Sequence, residues 1–222
     1  TFTVNSNGDT VDVNPGNGIC ADAAGDCTLR AAIQEANATS GADVINFTLT
    51  TPATIQLNSA LNPAELVISE TVTINGPGAR LLTVQGNANT ALGVFNITSA
   101  VTTAANINGL TIADSGARGI NNDGKLNLSD AVVRGNTFGI YNTAEINITR
   151  TLVNNNSSGG VYLTAPSVAN ISNTTITDNT SNNGGGIHSK SANVTLNNVT
   201  ISHNSVTGSG ANGNGGGFYY DN

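Results

Sequence analysis

The sequence predicts an all-β protein, a parallel β-helix with three short strands per coil and one short helix capping its N-terminal end. Three observations carry this prediction. A unit of about 20 residues recurs through the second half of the chain, apolar residues alternate within each unit, and the composition favours strands and turns over helices.

The repeat emerges when the chain is divided after each glycine that precedes an apolar residue. INNDGKLNLSDAVVRGNTFG (120–139), IYNTAEINITRTLVNNNSSGG (140–160), VYLTAPSVANISNTTITDNTSNNGGG (161–186) and IHSKSANVTLNNVTISHNSVTGSGANGNGGG (187–217) follow without remainder, and a fifth unit begins at FYYDN. Leu128 and Val133, Ile148 and Val153, Ile171 and Ile176, and Leu196 and Ile201 are each five residues apart. Three residues further on stand Asn136, Asn156, Asn179 and Asn204. The larger differences in length fall between that Asn and the next glycine. A constant core register with variable loops on one side describes coils stacked at about 4.8 Å.

Stacking places equivalent residues in columns. Ile120, Ile140, Val161, Ile187 and Phe218 are expected to face inward, with Leu126/Leu128, Ile146/Ile148, Ala169/Ile171 and Val194/Leu196 completing a thin, continuous core. Gly119, Gly139, Gly160, Gly186 and Gly217 form a corner that needs positive φ or close backbone approach. Asn136, Asn156, Asn179 and Asn204 are expected to adopt left-handed geometry and to bond their amides to the coils above and below, a structural ladder. The same alternation explains the twelve Asn-x-Ser/Thr sequons. In N127LS, N147IT and N170IS an outward Asn, an inward apolar residue and an outward hydroxyl follow from the strand pattern, so glycosylation is not implied.

Residues 53–86 and 94–119 show the same alternation less regularly and are read as the first coils. Before them, TLRAAIQEANA (28–38) is the one convincing helix. Asp26 or Thr28 can cap it, Leu29, Ala32, Ile33 and Ala36 form its apolar face, and Gly41 ends it. That face suits the open end of a β-helix, so the chain divides into a cap (1–52) and coils (53–222).

Composition narrows the function. Aromatics are 4% and charged residues 9%, while Asn and Thr number 35 and 29. A net charge of −7 with seven Lys+Arg offers no basic patch, which argues against a nucleic-acid partner. No apolar run approaches the roughly 18 residues that span a membrane. The absence of Met means that Thr1 is not a translation start, as in a processed or excised chain. Cys20 and Cys27 have no His/Cys companions for a zinc site. A local disulfide in an oxidising, extracytoplasmic setting is the better reading, two free thiols the alternative.

The stretch CTLRAAIQEANA (27–38) followed by GADVINF (41–47) resembles the N-terminal module of secreted bacterial proteins named for the motif Cys-Ser-Leu-Arg-Glu-Ala, with Thr28 and Ala31 in the Ser and Glu positions. Coils ending in GGGI or GGGF, with ISHN and ITDN, are similar to the repeats of chlamydial polymorphic outer-membrane proteins, Ile replacing Phe. The resemblance implies a right-handed parallel β-helix, exported, at or beyond the cell surface, often part of a longer chain, with structural or adhesive roles and no catalytic residues.

Three further sites come from the residues themselves. One residue after the inward series come Asn121, Tyr141, Tyr162, His188 and Tyr219, so three tyrosines and a histidine are expected to stack on one outer face, where rings suit sugar faces. Asp9, Asp12, Asp22 and Asp26, with Asn14 and Asn17, cluster in sequence around the cysteines and are candidate Ca²⁺ ligands, the one cofactor considered. The alternative function, a polysaccharide lyase or hydrolase, finds only Asp114, Asp178 and His203 in one column with Arg134 beside it. The expected protein is a secreted or cell-surface, non-enzymatic, structural or adhesive β-helix. Its last strand, at FYYDN, is expected to continue into further coils or to meet a second copy head to tail.

Overall fold

The computed structural model describes residues 1–207 and 215–221, and its parallel strands wind into a β-helix with three faces. The first face runs from Phe2–Val4 and Asp43–Phe47 through Val72–Asn75, Ala105–Asn108, Lys125–Ser129 and Glu145–Thr149. The second carries Ala53–Gln56, Leu82–Gln85, Thr111–Ala113, Val132–Arg134 and Leu152–Asn154. In the last two coils, Val168–Thr177 and Asn193–Ser202 each run through both faces as one bent strand. The third face comprises Leu66–Ile68, Phe95–Ile97, Arg118–Asn122, Phe138–Asn142, Val161–Thr164, Ile187–Lys190 and Phe218–Asp221.

Single left-handed residues turn the corners. Between the first and second faces they are Gly109, Asp130, Arg150, Asn173 and Asn198, with φ from +48° to +67°; between the second and third they are Asp114, Gly135, Asn155, Asp178 and His203, with φ from +54° to +67°. This corrects the expectation for the Asn column: the left-handed residue is the one before each ladder Asn. The ladder itself forms as expected. The Asn156 Oδ1 accepts from both the backbone N–H and the side-chain amide of Asn136, at 3.0 and 3.2 Å. Asn156 donates likewise to Asn179, and Asn179 to Asn204. Asn136, Asn156 and Asn179 are buried, so each amide replaces the water a polar corner would otherwise need. The ladder also explains the corner glycines, whose φ is not left-handed. A Cβ on Gly139 would lie 2.5 Å from the Gly160 carbonyl oxygen and 2.8 Å from the Asn156 amide nitrogen.

A second, outward ladder links Asn106, Asn127, Asn147 and Asn170, each donating to the residue one coil earlier at 2.8–2.9 Å beyond the first step. The abundance of Asn therefore has a cause: amides stacked in register bond along the axis of the solenoid.

One apolar core runs from Phe2 to Ala192. The expected inward residues from Ile120 to Ile187 are buried, but Leu196 and Phe218 are 41% and 38% exposed. Each lies on the last described strand of its face, where no described strand follows to cover it.

At the other end the helix, Leu29–Ala38, lays Leu29, Ala32, Ile33 and Ala36 into the core. Thr28, not Asp26, caps it, its hydroxyl oxygen accepting from the Ala31 N–H; Thr39, ahead of Gly41, makes the last helical bond to Glu35. Two polar residues a whole number of turns apart, Arg30 and Asn37, then cover the edge of strand Leu66–Ile68. The Asn37 amide donates to the Val67 carbonyl at 2.7 Å and accepts from the Ser69 N–H at 2.9 Å, as a neighbouring strand would. Arg30 donates to the carbonyls of Pro63, Ala64 and Glu65 and, through Nε and Nη2, to buried Asp9 at 2.8 and 2.9 Å. Strands Phe2–Val4 and Asp43–Phe47 pair onto Val72–Asn75, so cap and coils share a sheet. Cys20 and Cys27 form a disulfide.

Candidate functional site

The variable insertions leave the stack between the ladder Asn and the corner glycine, beside the third face. They wall a groove of about 310 Å³ lined by Phe138, Ser157, Ser158, Tyr162, Ser181, Asn182, Asn183, His188 and Lys190. Ser157 and Ser158 come from one insertion and Ser181 to Asn183 from the next, while Tyr162, His188 and Lys190 stand on the strands of the third face. Sequence reasoning located the loops and the ring column separately but missed the groove between them. The signal that was available is Phe138, an aromatic just before a corner glycine, among loops of Ser and Asn.

The ring column forms as expected: Tyr141 pairs with Tyr162, Tyr162 with His188 and His188 with Tyr219. Tyr141 and Tyr162 stack with centroids 4.9 Å apart and planes 8° apart. His188 meets Tyr162 at 4.8 Å and 72°, and Tyr219 meets His188 at 5.0 Å and 53°. The Arg118 guanidinium lies 3.9 Å from the centroid of Tyr141 and bonds to Asn121. Tyr141 and Tyr162 thus cover each other's facing sides, whereas His188 and Tyr219 meet their neighbours at steeper angles. Phe138 meets both stacked tyrosines edge-on, its plane at 83° and 75° to theirs and its centroid 6.3 and 6.0 Å from theirs.

His188 is 7% exposed, and its Nε2 has no hydrogen-bond partner in the protein. Burial lowers its pKa, reinforced by the charge of Lys190 and opposed by Asp221, so the ring is neutral at pH 7. Lys190 is held protonated, first by its hydrogen bond to the Tyr162 hydroxyl and further by Asp221. A pH dependence follows. The unfolded chain binds a proton at His188 near the ordinary value of 6.5, the folded one only at lower pH. Stability from neutral His188 is therefore complete above that value and is lost as pH falls below it. The expected result is a melting temperature that declines between pH 6.5 and 5 in the parent and less in His188→Phe; equal slopes would show that His188 does not cause the decline.

The acidic residues near the disulfide are not gathered for a cation. Asp9 faces Arg30 and accepts from the Asn58 N–H; Asp12 accepts from the Asn14 and Ala21 N–H groups. Asp22 accepts from the Thr10 hydroxyl, which is the main cause of its lowered pKa, and from the Ala24 and Asp26 N–H groups, while Asp26 is exposed. Among the described residues no group of three or more His, Cys, Asp or Glu is placed to hold a metal ion. Asp9, Asp12 and Asp22 shape the loop by accepting from its backbone N–H groups.

The alternative catalytic column is likewise divided. By strand register Asp178 and His203 are on neighbouring coils, while Asp114 is three coils from Asp178 and lies 3.7 Å from Arg134 in an ion pair. Three coils span about 14 Å, beyond the roughly 5–9.5 Å that separates paired hydrolytic carboxyl groups. Comparison with protein-family models, curated proteins and solved structures returned no match. Among the described residues no helix is long and apolar enough to cross a membrane.

Proposed function

We propose that the protein is an extracytoplasmic β-helix of structural or adhesive type that binds saccharide in the groove beside Phe138 and Tyr162. The observation that carries this reading is the lining itself: aromatic residues on one wall, serine hydroxyls and asparagine amides on the other, on a rigid stacked scaffold. Hydroxyls and amides can exchange hydrogen bonds with sugar hydroxyls, and an aromatic ring packs against sugar C–H groups. The Cys20–Cys27 disulfide and the resemblance of CTLRAAIQEANA to secreted bacterial proteins support export. An enzymatic reading has no comparable support, since its candidate residues lie on separate coils. The exposure of Leu196 and Phe218 favours a second, compatible reading in which that edge receives another coil or a second copy of the chain.

A glycan array probed with the intact chain tests the proposal. Binding is expected, and Phe138→Ala is expected to weaken it about tenfold, which is about 1.4 kcal/mol, with the melting temperature recorded to confirm folding. Absence of any bound glycan, or binding by folded Phe138→Ala and Tyr162→Ala equal to the parent, rejects it.

A further inference from the structure

We propose that the groove selects acidic saccharides carrying one carboxylate per sugar, and that Lys190 receives a carboxylate. This inference rests on the saccharide reading above and names the class of sugar. The chain has seven Lys+Arg, and Arg30, Lys125, Arg134 and Arg150 are engaged in ion pairs with carboxylates. Arg80 lines a different cavity, together with Asp130 and Arg150, and Arg118 is stacked on Tyr141 outside the groove lining. Lys190 differs from these. Its ammonium lies 6.0 Å from the centroid of Tyr162, forms no ion pair with a described carboxylate, and is the one cation among the lining residues. The lining contains no Asp or Glu, although the chain carries 14 of them. Asp221, opposite Lys190 in the strand register and outside the lining, offsets part of that charge, so the groove itself, free of carboxylates and with one cation at its wall, is less negative than the rest of a protein of net charge −7.

The surrounding chemistry sharpens the choice. An ammonium is a compact charge with three donors, suited to one carboxylate oxygen rather than to a bidentate fork. A charge-assisted hydrogen bond is about twice as strong as a neutral one, so the ammonium discriminates more than the serine hydroxyls around it. Buried His188 stands in the same wall as a neutral ring, its Nε2 turned away from the groove surface. A densely charged polyanion would meet the net negative field of the protein with only this one cation in the groove. A uronic-acid oligosaccharide, with one carboxylate on each sugar and apolar C–H faces between, matches both walls.

The test compares an oligouronide with its methyl ester, which keeps the shape and removes the charge, and with a sulfated oligosaccharide of equal length, by calorimetry on the intact chain. At low salt the oligouronide is expected to bind about tenfold more tightly than its ester, with added salt narrowing the gap. Lys190→Gln is expected to equalise acid and ester without weakening the ester. Equal binding of acid and ester by the parent, retention of the preference in Lys190→Gln, or preference for the sulfated ligand overturns the inference while leaving the saccharide reading intact. If neither acid nor ester binds and no neutral glycan does, the saccharide reading itself falls, and this inference with it.

Discussion

Replacing Arg30 with alanine is expected to lower the free energy of unfolding by about 3–5 kcal/mol, the cost of breaking a buried ion pair by removing one partner. The side chains of Arg30 and Asp9 are 4% and 2% exposed, so water does not reach the groups left behind. Deletion would strand the Asp9 carboxylate and also the carbonyls of Pro63, Ala64 and Glu65, which take the remaining guanidinium donors. Arg30→Lys is expected to recover little, because three donors on a flexible stem cannot replace a fork that serves five acceptors. The double substitution Asp9→Leu with Arg30→Met is expected to be more stable than Arg30→Ala alone, since it removes the charge and keeps the volume. Denaturant titration checks the series; a loss below about 0.5 kcal/mol in Arg30→Ala, the range of ordinary surface substitutions, would show that the pair is not what seals this end.

Asn156→Ala in the middle of the inner ladder is expected to cost about 3 kcal/mol, lowering the melting temperature by roughly 6–12 °C for a chain of this size. The substitution removes the acceptor of the Asn136 N–H and amide, and the donor to the Val133 carbonyl and to Asn179, all at a buried corner. Asn127→Ala provides the contrast. Its ladder is on the outer surface, water can take over the lost bonds, and the expected change is within about 0.5 kcal/mol. Similar losses for the two variants would mean that burial does not distinguish the ladders.

Much of this architecture was legible because a solenoid writes its geometry locally. Each coil repeats the same inward and outward alternation, so the fixed spacing from Leu128 to Val133 to Asn136 placed the core, the ladder and the ring column before any coordinates did. The left-handed corner was misplaced by one residue because Asn155 and Asn156 are adjacent and chemically alike; only stacking shows that the second turns inward. The role of Arg30 was not legible, since its partners lie 21 to 35 residues away in an irregular region. The partners of the aspartates around the disulfide were not legible for the same reason: closeness in sequence said nothing of which backbone N–H groups Asp9, Asp12 and Asp22 would meet. The groove escaped notice because it depends on how insertions of two neighbouring coils lean against rings, and no periodicity encodes that.

The position of those insertions has a consequence for how such a protein can change over generations. Between ladder Asn and corner Gly the chain spends two residues after Asn136, three after Asn156, six after Asn179 and twelve after Asn204. Among the described residues, the segments after Asn136, Asn156 and Asn179 each depart from and return to an unaltered corner, so lengthening one adds no residue to the core column and moves none out of register. Mutation can thus explore new recognition surfaces on one flank while selection holds the stacked amides and apolar columns constant on the other. Lineages carrying this scaffold are expected to diverge fastest in those four segments, acquiring new ligands without having to reinvent a fold.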